Sequence, residues 1–233
     1  MNGKQTYRNI IDDLIEMMVM GKLNPGDKLP GERTLAVELN ASRASIREAF
    51  RTMEILGILE ARHGGGTYVR EFNISPFMNT LSPLLLKDMD MMGEIMDFRI
   101  MIESEAVKAA AKAKDPKAVE GMKMALSDMK SSNPETAERG DLEFHKLIFM
   151  AAGNRILSMA GESLSYILYK SIHESRERFE MDSRIKDIWN NDHKNILDAI
   201  MDGKPTDAEM ALRKHLEGVR EFMEEMLTEE NKG

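Results

Sequence analysis

Asp141 and His145 stand four residues apart in "GDLEFHKLI", residues 140–148. On a helix that spacing sets a carboxylate and an imidazole on one face, one turn apart. The chain has five histidines. Two others sit in helix-like contexts, His193 in "WNNDHKNILDAIMDG" and His215 in "ALRKHLEGVREF". One carboxylate with three imidazoles suits zinc, nickel, iron or manganese. The segments are far apart in sequence, so there is no local finger motif and the fold must bring the ligands together. Lone helical histidines are more often surface or core residues, and counting alone leaves both readings open. His173 has no place in the pattern and reads as structural or exposed.

A second chemistry belongs to the arginines of the first 70 residues. Arg43 and Arg47 lie four apart, just after Ser42. At the N-terminal end of a helix entering a DNA major groove, such forks can bond O6 and N7 of guanine together. The plainer reading is a solvated face with Arg47–Glu48 or Arg51–Glu54 neighbours. Arg51 and Arg62 suit phosphates at most.

The elements that must hold these residues follow from periodicity. Helical spacing of Ile10, Ile11, Leu14, Ile15, Met18 and Val19 predicts a helix over Thr6–Met20, stopped by Gly21. "KLNPGDKLP" reads as a turn. "GERTLAVELN" predicts a short helix with Leu35, Ala36 and Leu39 inward. "ASRASIREAFRTMEILG" predicts a third, with Ser42 as N-cap and Gly57 as stop. The period then changes to two, predicting strands Ile58–Ala61 and Thr67–Arg70 around a glycine turn. After a linker with Pro76 and Pro83, helices are expected over Leu84–Met92, Gly93–Ala113, Pro116–Lys130, Thr136–Ala152, Asn154–Glu180, Ile185–Met201 and Asp207–Leu227. "TDAE" at Thr206–Glu209 has capping-box spacing. The fold class is mainly α. A winged helix-turn-helix over 1–72 and a linker over 73–83 precede an all-α domain of six or seven helices over 84–233.

Composition narrows the function. The 233 residues are 42% hydrophobic and 31% charged, ordinary for a globular protein. There is no cysteine, which excludes disulfides, thiolate ligands and cysteine nucleophiles and suits a reducing cytoplasm. No apolar run reaches membrane-spanning length. "MNGKQTYRNIIDDLIEMMVMGKL" carries acids within its apolar pattern and reads as an amphipathic helix, not a signal peptide. The formal charge is −8, but residues 1–70 hold 10 basic and 9 acidic side chains, against 22 and 31 over 71–233. Contact with nucleic acid is therefore expected to be local and N-terminal. The 21 methionines read as core filler between helices.

"GDKLPGERTLAVELNASRASIREAFRTMEILGILEARHGGGTYV" resembles the DNA-binding domain of the GntR superfamily of bacterial transcription regulators. The likeness rests on the joint spacing L-P-x-E-R-x-L-A, S-R-x-x-[IV]-R-E-A, L-G-[IL]-[LI] and a wing ending G-T-Y-V. Gly31 departs from it, standing where a Ser or Thr cap is usual, and glycine is a tolerated cap. The resemblance implies contacts to double-stranded operator DNA, a pseudo-palindrome bound by a homodimer. It assigns base or near-base contacts to Arg33, Arg43 and Arg47, phosphate contacts to Ser42 and Ser45, and wing contacts to His63 and Gly64.

"FRIMIESEAVKAAA", "DLEFHKLIFMAAGN" and "HKNILDAIMDGKPTDAEMALRKH" resemble the FCD ligand-binding domain of the FadR subfamily, which implies an all-α antiparallel helical bundle over 84–233. Its metal-binding members use D-x-x-x-H followed by two histidines, which falls here on Asp141, His145, His193 and His215. The fatty-acyl-CoA-responsive branch lacks that full set. The resemblance implies a divalent metal, zinc or nickel ahead of iron or manganese, and a small carboxylate effector held by the metal and by Arg99. The plainer reading of Arg99 is an i,i+4 pair with Glu103. The expected function is a repressor of a catabolic operon. The alternatives are a metal sensor and a metal-dependent hydrolase or lyase. Against an enzyme, the sequence has no H-E-x-x-H, P-loop or G-x-S-x-G.

Overall fold

A computed structural model of the chain describes residues 6–71, 73, 74, 76, 77, 80, 89–164 and 183–230. It divides into two compact units, Met1–Thr80 and Leu81–Gly233. The expected helix Leu84–Met92 falls largely outside the described residues, as do His173 and most of Asn154–Glu180.

The first unit holds α1 (Tyr7–Val19), α2 (Glu32–Glu38), α3 (Arg43–Ile55), β1 (Leu59–Arg62) and β2 (Gly66–Val69). Ile10 and Leu14 of α1 are fully buried, and they join Leu35, Ile46, Phe50, Met53, Leu59 and Val69 in one core. The Ser42 hydroxyl accepts the amide of Ser45 at 3.0 Å, which satisfies an orphan donor of the first turn of α3. Gly57 ends that helix at φ +73°, where a Cβ would sit 2.7 Å from the carbonyl oxygen of Asn73.

The strands are shifted by one residue from the expected spans. The antiparallel register pairs Leu59 with Val69, so both apolar side chains reach the core, while the amide of Ile58 is spent on the Met53 carbonyl at the helix end. The segment read as a plain turn also joins the wing. Lys28 bridges to Tyr68, and the amides of Gly26 and Leu29 bond to the Val69 and Thr67 carbonyls at 2.8 Å. Two prolines and a glycine hid this short extended stretch.

The second unit holds α4 (Met89–Ala113), α5 (Pro116–Asp128), α6 (Pro134–Ala151), a helix α7 described over 155–164, α8 (Ser183–Asp202) and α9 (Pro205–Glu230). Three expectations fail. Gly93 does not divide two helices, because α4 runs through it and a Cβ there would meet open space. Helix α6 begins two residues early, at Pro134, because Asn133 accepts the Thr136 amide at 3.1 Å. The capping box at Thr206 does not form. Helix α9 already starts at Pro205, and Glu209 instead pairs with Arg213 at 3.2 Å and Lys108 at 3.4 Å.

Helix α4 packs on α6 and α9, α5 on α6, and α8 on α9. Val107, Ala110, Met122, Phe144, Ile148, Phe149, Ile196, Ile200 and Leu212 fill the shared core. The reading of methionine as core filler holds only in part. Met53, Met96 and Met122 are buried, whereas Met101, Met124, Met150 and Met210 are each more than half exposed. Among the described residues, no helix is long and apolar enough to cross a membrane.

Candidate metal centre and nucleic-acid face

Helix α6 supplies Asp141 and His145, α8 supplies His193 and α9 supplies His215. One ligand atom from each lies within 4.8 Å of every other. Three separate helices thus place four side chains with metal-ligating atoms at a single point. Phe144, packed edge-on to His145 and His193 at 5.9 and 5.0 Å, walls the cluster from the core. The His193 and His215 rings are 4.2 Å apart, and His145 stacks on His215 at 5.5 Å.

Two of the three rings are oriented from outside the cluster. The Nδ1 of His145 donates to Glu103 Oε2 at 2.7 Å, and the Nδ1 of His193 donates to the carbonyl of Trp189, one turn earlier on α8, at 2.7 Å. Both Nε2 atoms then face inward, 3.2 Å from each other, and His193 Nε2 lies 3.2 Å from Asp141 Oδ1. Two imidazole nitrogens at that distance attract only with a proton or a cation between them. The Nδ1 of His215 is buried with no hydrogen-bond partner, a costly state for a polar atom without a ligand. The donor set therefore fits a divalent cation.

Electrostatics favour the ligating protonation states. Burial lowers His145, against the pull of Glu103. Burial and the neighbouring imidazoles push His215 well below the usual histidine range. Both are neutral near pH 7, with a lone pair to give. Burial would raise Asp141, but the bond with His193 and the neighbouring imidazoles hold it far below the usual carboxylate range. Its side chain is 43% exposed while the histidines are almost fully buried, so the centre opens on the Asp141 side.

Arg99 and Glu103 form the buried i,i+4 pair of the plainer reading, Nε to Oε1 at 2.7 Å. The same carboxylate carries His145, a role for Glu103 absent from the sequence reading. Its i+4 spacing from Arg99 was visible. Its approach to His145 needed α4 to pack on α6. The carbonyl of Trp189 was missed too, although an i−4 carbonyl on the same helix is a local signal.

In the first unit, Arg33, Arg43 and Arg47 are exposed. Arg43 comes within 3.9 Å of Glu32 while keeping 68% of its side chain exposed, so the starts of α2 and α3 lie side by side. The Arg47–Glu48 and Arg51–Glu54 pairs of the plainer reading are not among the ion pairs of the described residues. Ser42 and Ser45 share a hydroxyl contact of 2.9 Å. His63 and Gly64 are exposed at the wing tip. Arg62 is held by Glu60 and stacks over Tyr68 at 4.1 Å.

The bacterial regulatory proteins of the gntR family match residues 6–69, and the FCD domain matches residues 94–218. The putative L-lactate dehydrogenase operon regulatory protein of Escherichia coli K12 is 30% identical over 86% of this chain and 80% of its own. The HTH-type transcriptional regulator LutR of Bacillus subtilis is 28% identical over 89% and 96%. Among solved structures, Streptococcus agalactiae GntR superposes with a TM-score of 0.66 at 24% identity, covering 92% of this chain and 99% of that one.

Proposed function

The chain belongs to the GntR family of bacterial transcriptional regulators and carries an FCD domain, and from that premise we propose a metal-dependent, carboxylate-responsive repressor of the FadR subfamily. It binds a pseudo-palindromic operator as a homodimer in the cytoplasm. Arg33, Arg43 and Arg47 meet the bases or their margins, Ser42 and Ser45 the phosphates, and His63 and Gly64 the groove beside the wing. Asp141, His145, His193 and His215 hold the divalent ion, with zinc or nickel preferred by their imidazole-rich donor set.

The observation that carries this reading is the inward convergence of four ligand atoms from three helices. Four protein ligands leave room on an octahedral ion for an oxygen-rich ligand. Arg99 engages Glu103 through Nε, and its terminal nitrogens suit a second carboxylate in a bidentate fork. The E. coli relative is named for an L-lactate dehydrogenase operon, which favours small carboxylic acids here.

The test is fluorescence anisotropy on the protein's own upstream DNA and a random duplex, at several salt concentrations, with and without zinc and a carboxylate panel. The expected result is a salt-dependent preference for the upstream DNA, released by one class of carboxylate in the zinc-loaded protein only. Equal binding to both duplexes would overturn the proposal. Release by metal alone would favour a metal sensor instead. Turnover of a carboxylate by the loaded protein would turn the reading toward a hydrolase or lyase.

A further inference from the structure

Helix α4 contributes no ligand to the metal cluster, yet it sends a carboxylate into it. Glu103 is fully buried, and Arg99 is 5% exposed. Both oxygens of Glu103 are taken, Oε1 by Arg99 Nε and Oε2 by His145 Nδ1, each at 2.7 Å. Burying a carboxylate and a guanidinium is expensive, and apolar residues of similar size often serve stability as well. We propose that Glu103 is a positioning residue that selects the metal-binding tautomer of His145 and links this ligand to the guanidinium of Arg99. The inference rests on the metal reading above.

Neutral imidazole has two tautomers, and only the one protonated on Nδ1 offers a lone pair at Nε2. A carboxylate at Nδ1 favours that tautomer, fixes the plane of the ring and makes Nε2 a better donor. An anion drawn to the terminal nitrogens of Arg99 pulls on the partner of Glu103, and through it on His145. Ligand at Arg99 and metal at His145 are thereby coupled through two short bonds, and the coupling must run both ways.

The pairing makes a directional forecast. In E103Q, the amide oxygen must turn toward the Arg99 donor, because arginine cannot accept. The amide NH2 then faces His145 Nδ1, which favours the tautomer protonated on Nε2, the one that cannot ligate. In R99M/E103Q the glutamine is free to turn its oxygen back to His145.

Zinc alone is the probe, titrated against a chelating dye, with histidine 15N shifts of the zinc-free protein reporting the tautomer. E103Q is expected to bind zinc about 10–100-fold more weakly, with His145 moved toward the Nε2-protonated form. R99M/E103Q is expected to recover much of both. E120Q, at an exposed glutamate paired with Lys123, is expected to match the wild type. Should E103Q fail to fold, R99M/E103L strands no buried charge and is expected to show the same loss of affinity without recovery. Wild-type zinc affinity and an unmoved His145 tautomer in the folded Glu103 variant overturn the inference. A wild-type protein that binds zinc no better than H145A overturns the metal reading itself, which is a separate result.

Discussion

At the residue scale, two of the three imidazoles have an inner and an outer partner, and the outer one decides what the inner one can do. His145 leans on Glu103 and His193 on the Trp189 carbonyl, so neither ring must reorganise to receive a cation. H193A removes a proposed direct ligand and is expected to weaken zinc more than E103Q does, by over about 100-fold. The emission of Trp189, the chain's single tryptophan, can report it, since its ring lies 6.4 Å from that of His215. An unchanged titration would remove His193 from the site. On the DNA face, R43A and R47A are each expected to cost about 1–3 kcal/mol of operator affinity and to relax the preference among sequences. A uniform loss across all duplexes would reassign them to phosphates.

At the scale of elements, the centre depends on how closely α5 and α6 approach. Gly140 precedes the first candidate ligand, and a Cβ there would lie 2.7 Å from the Ala125 carbonyl oxygen and 2.9 Å from the Met129 amide. Those are backbone atoms, so the helices themselves must move. G140A is expected to destabilise the protein by about 1–3 kcal/mol and to weaken zinc binding as α6 shifts. A urea midpoint equal to that of the wild type would show that the crossing has slack. In the first unit, S42A removes the cap of α3 and is expected to cost about 1 kcal/mol. The helix periods and stops were legible because they are local. The Gly93 break and the Thr206 box failed because a local signal was overruled: one half-buried glycine costs a long packed helix little, and Pro205 suits the first turn better than Thr206 suits a cap.

At the scale of the whole molecule, charge and protonation set the working conditions. Residues 1–70 are nearly neutral within a chain of net −8, so operator binding is expected to fall steeply with salt through the arginines alone. His145 and His215 are lowered in the folded protein. Below pH 6.5 the unfolded chain therefore binds more protons than the folded one. Stability of the zinc-free protein is expected to be full above that pH and to decline as pH falls toward the lowered folded values. Burial would raise Glu103, but the Arg99 guanidinium and the bond to His145 together outweigh it and hold the carboxyl down to about 2. Its contribution is present above the ordinary carboxylate range and is lost between about pH 4.5 and 2. Zinc at 100 times its Kd is expected to add about 2.7 kcal/mol, an increment that shrinks on acidification as protons compete for the ligands. Thermal midpoints across pH, with and without zinc, check all three trends. A flat profile from pH 7 to 5 would contradict the lowered histidines.

The sequence by itself determined most of the helical periods, the cap at Ser42 and the stops at Gly21 and Gly57, because these depend on neighbours within a few residues. It also held the candidate ligands Asp141, His145, His193 and His215, since residue type and i,i+4 spacing are written in the chain. Only the tertiary structure decided that α6, α8 and α9 bring them within 4.8 Å, and that α4 lends Glu103 to His145 across 42 residues. Convergence depends on how helices cross, and crossing is fixed by side-chain packing between distant segments, which no local period encodes.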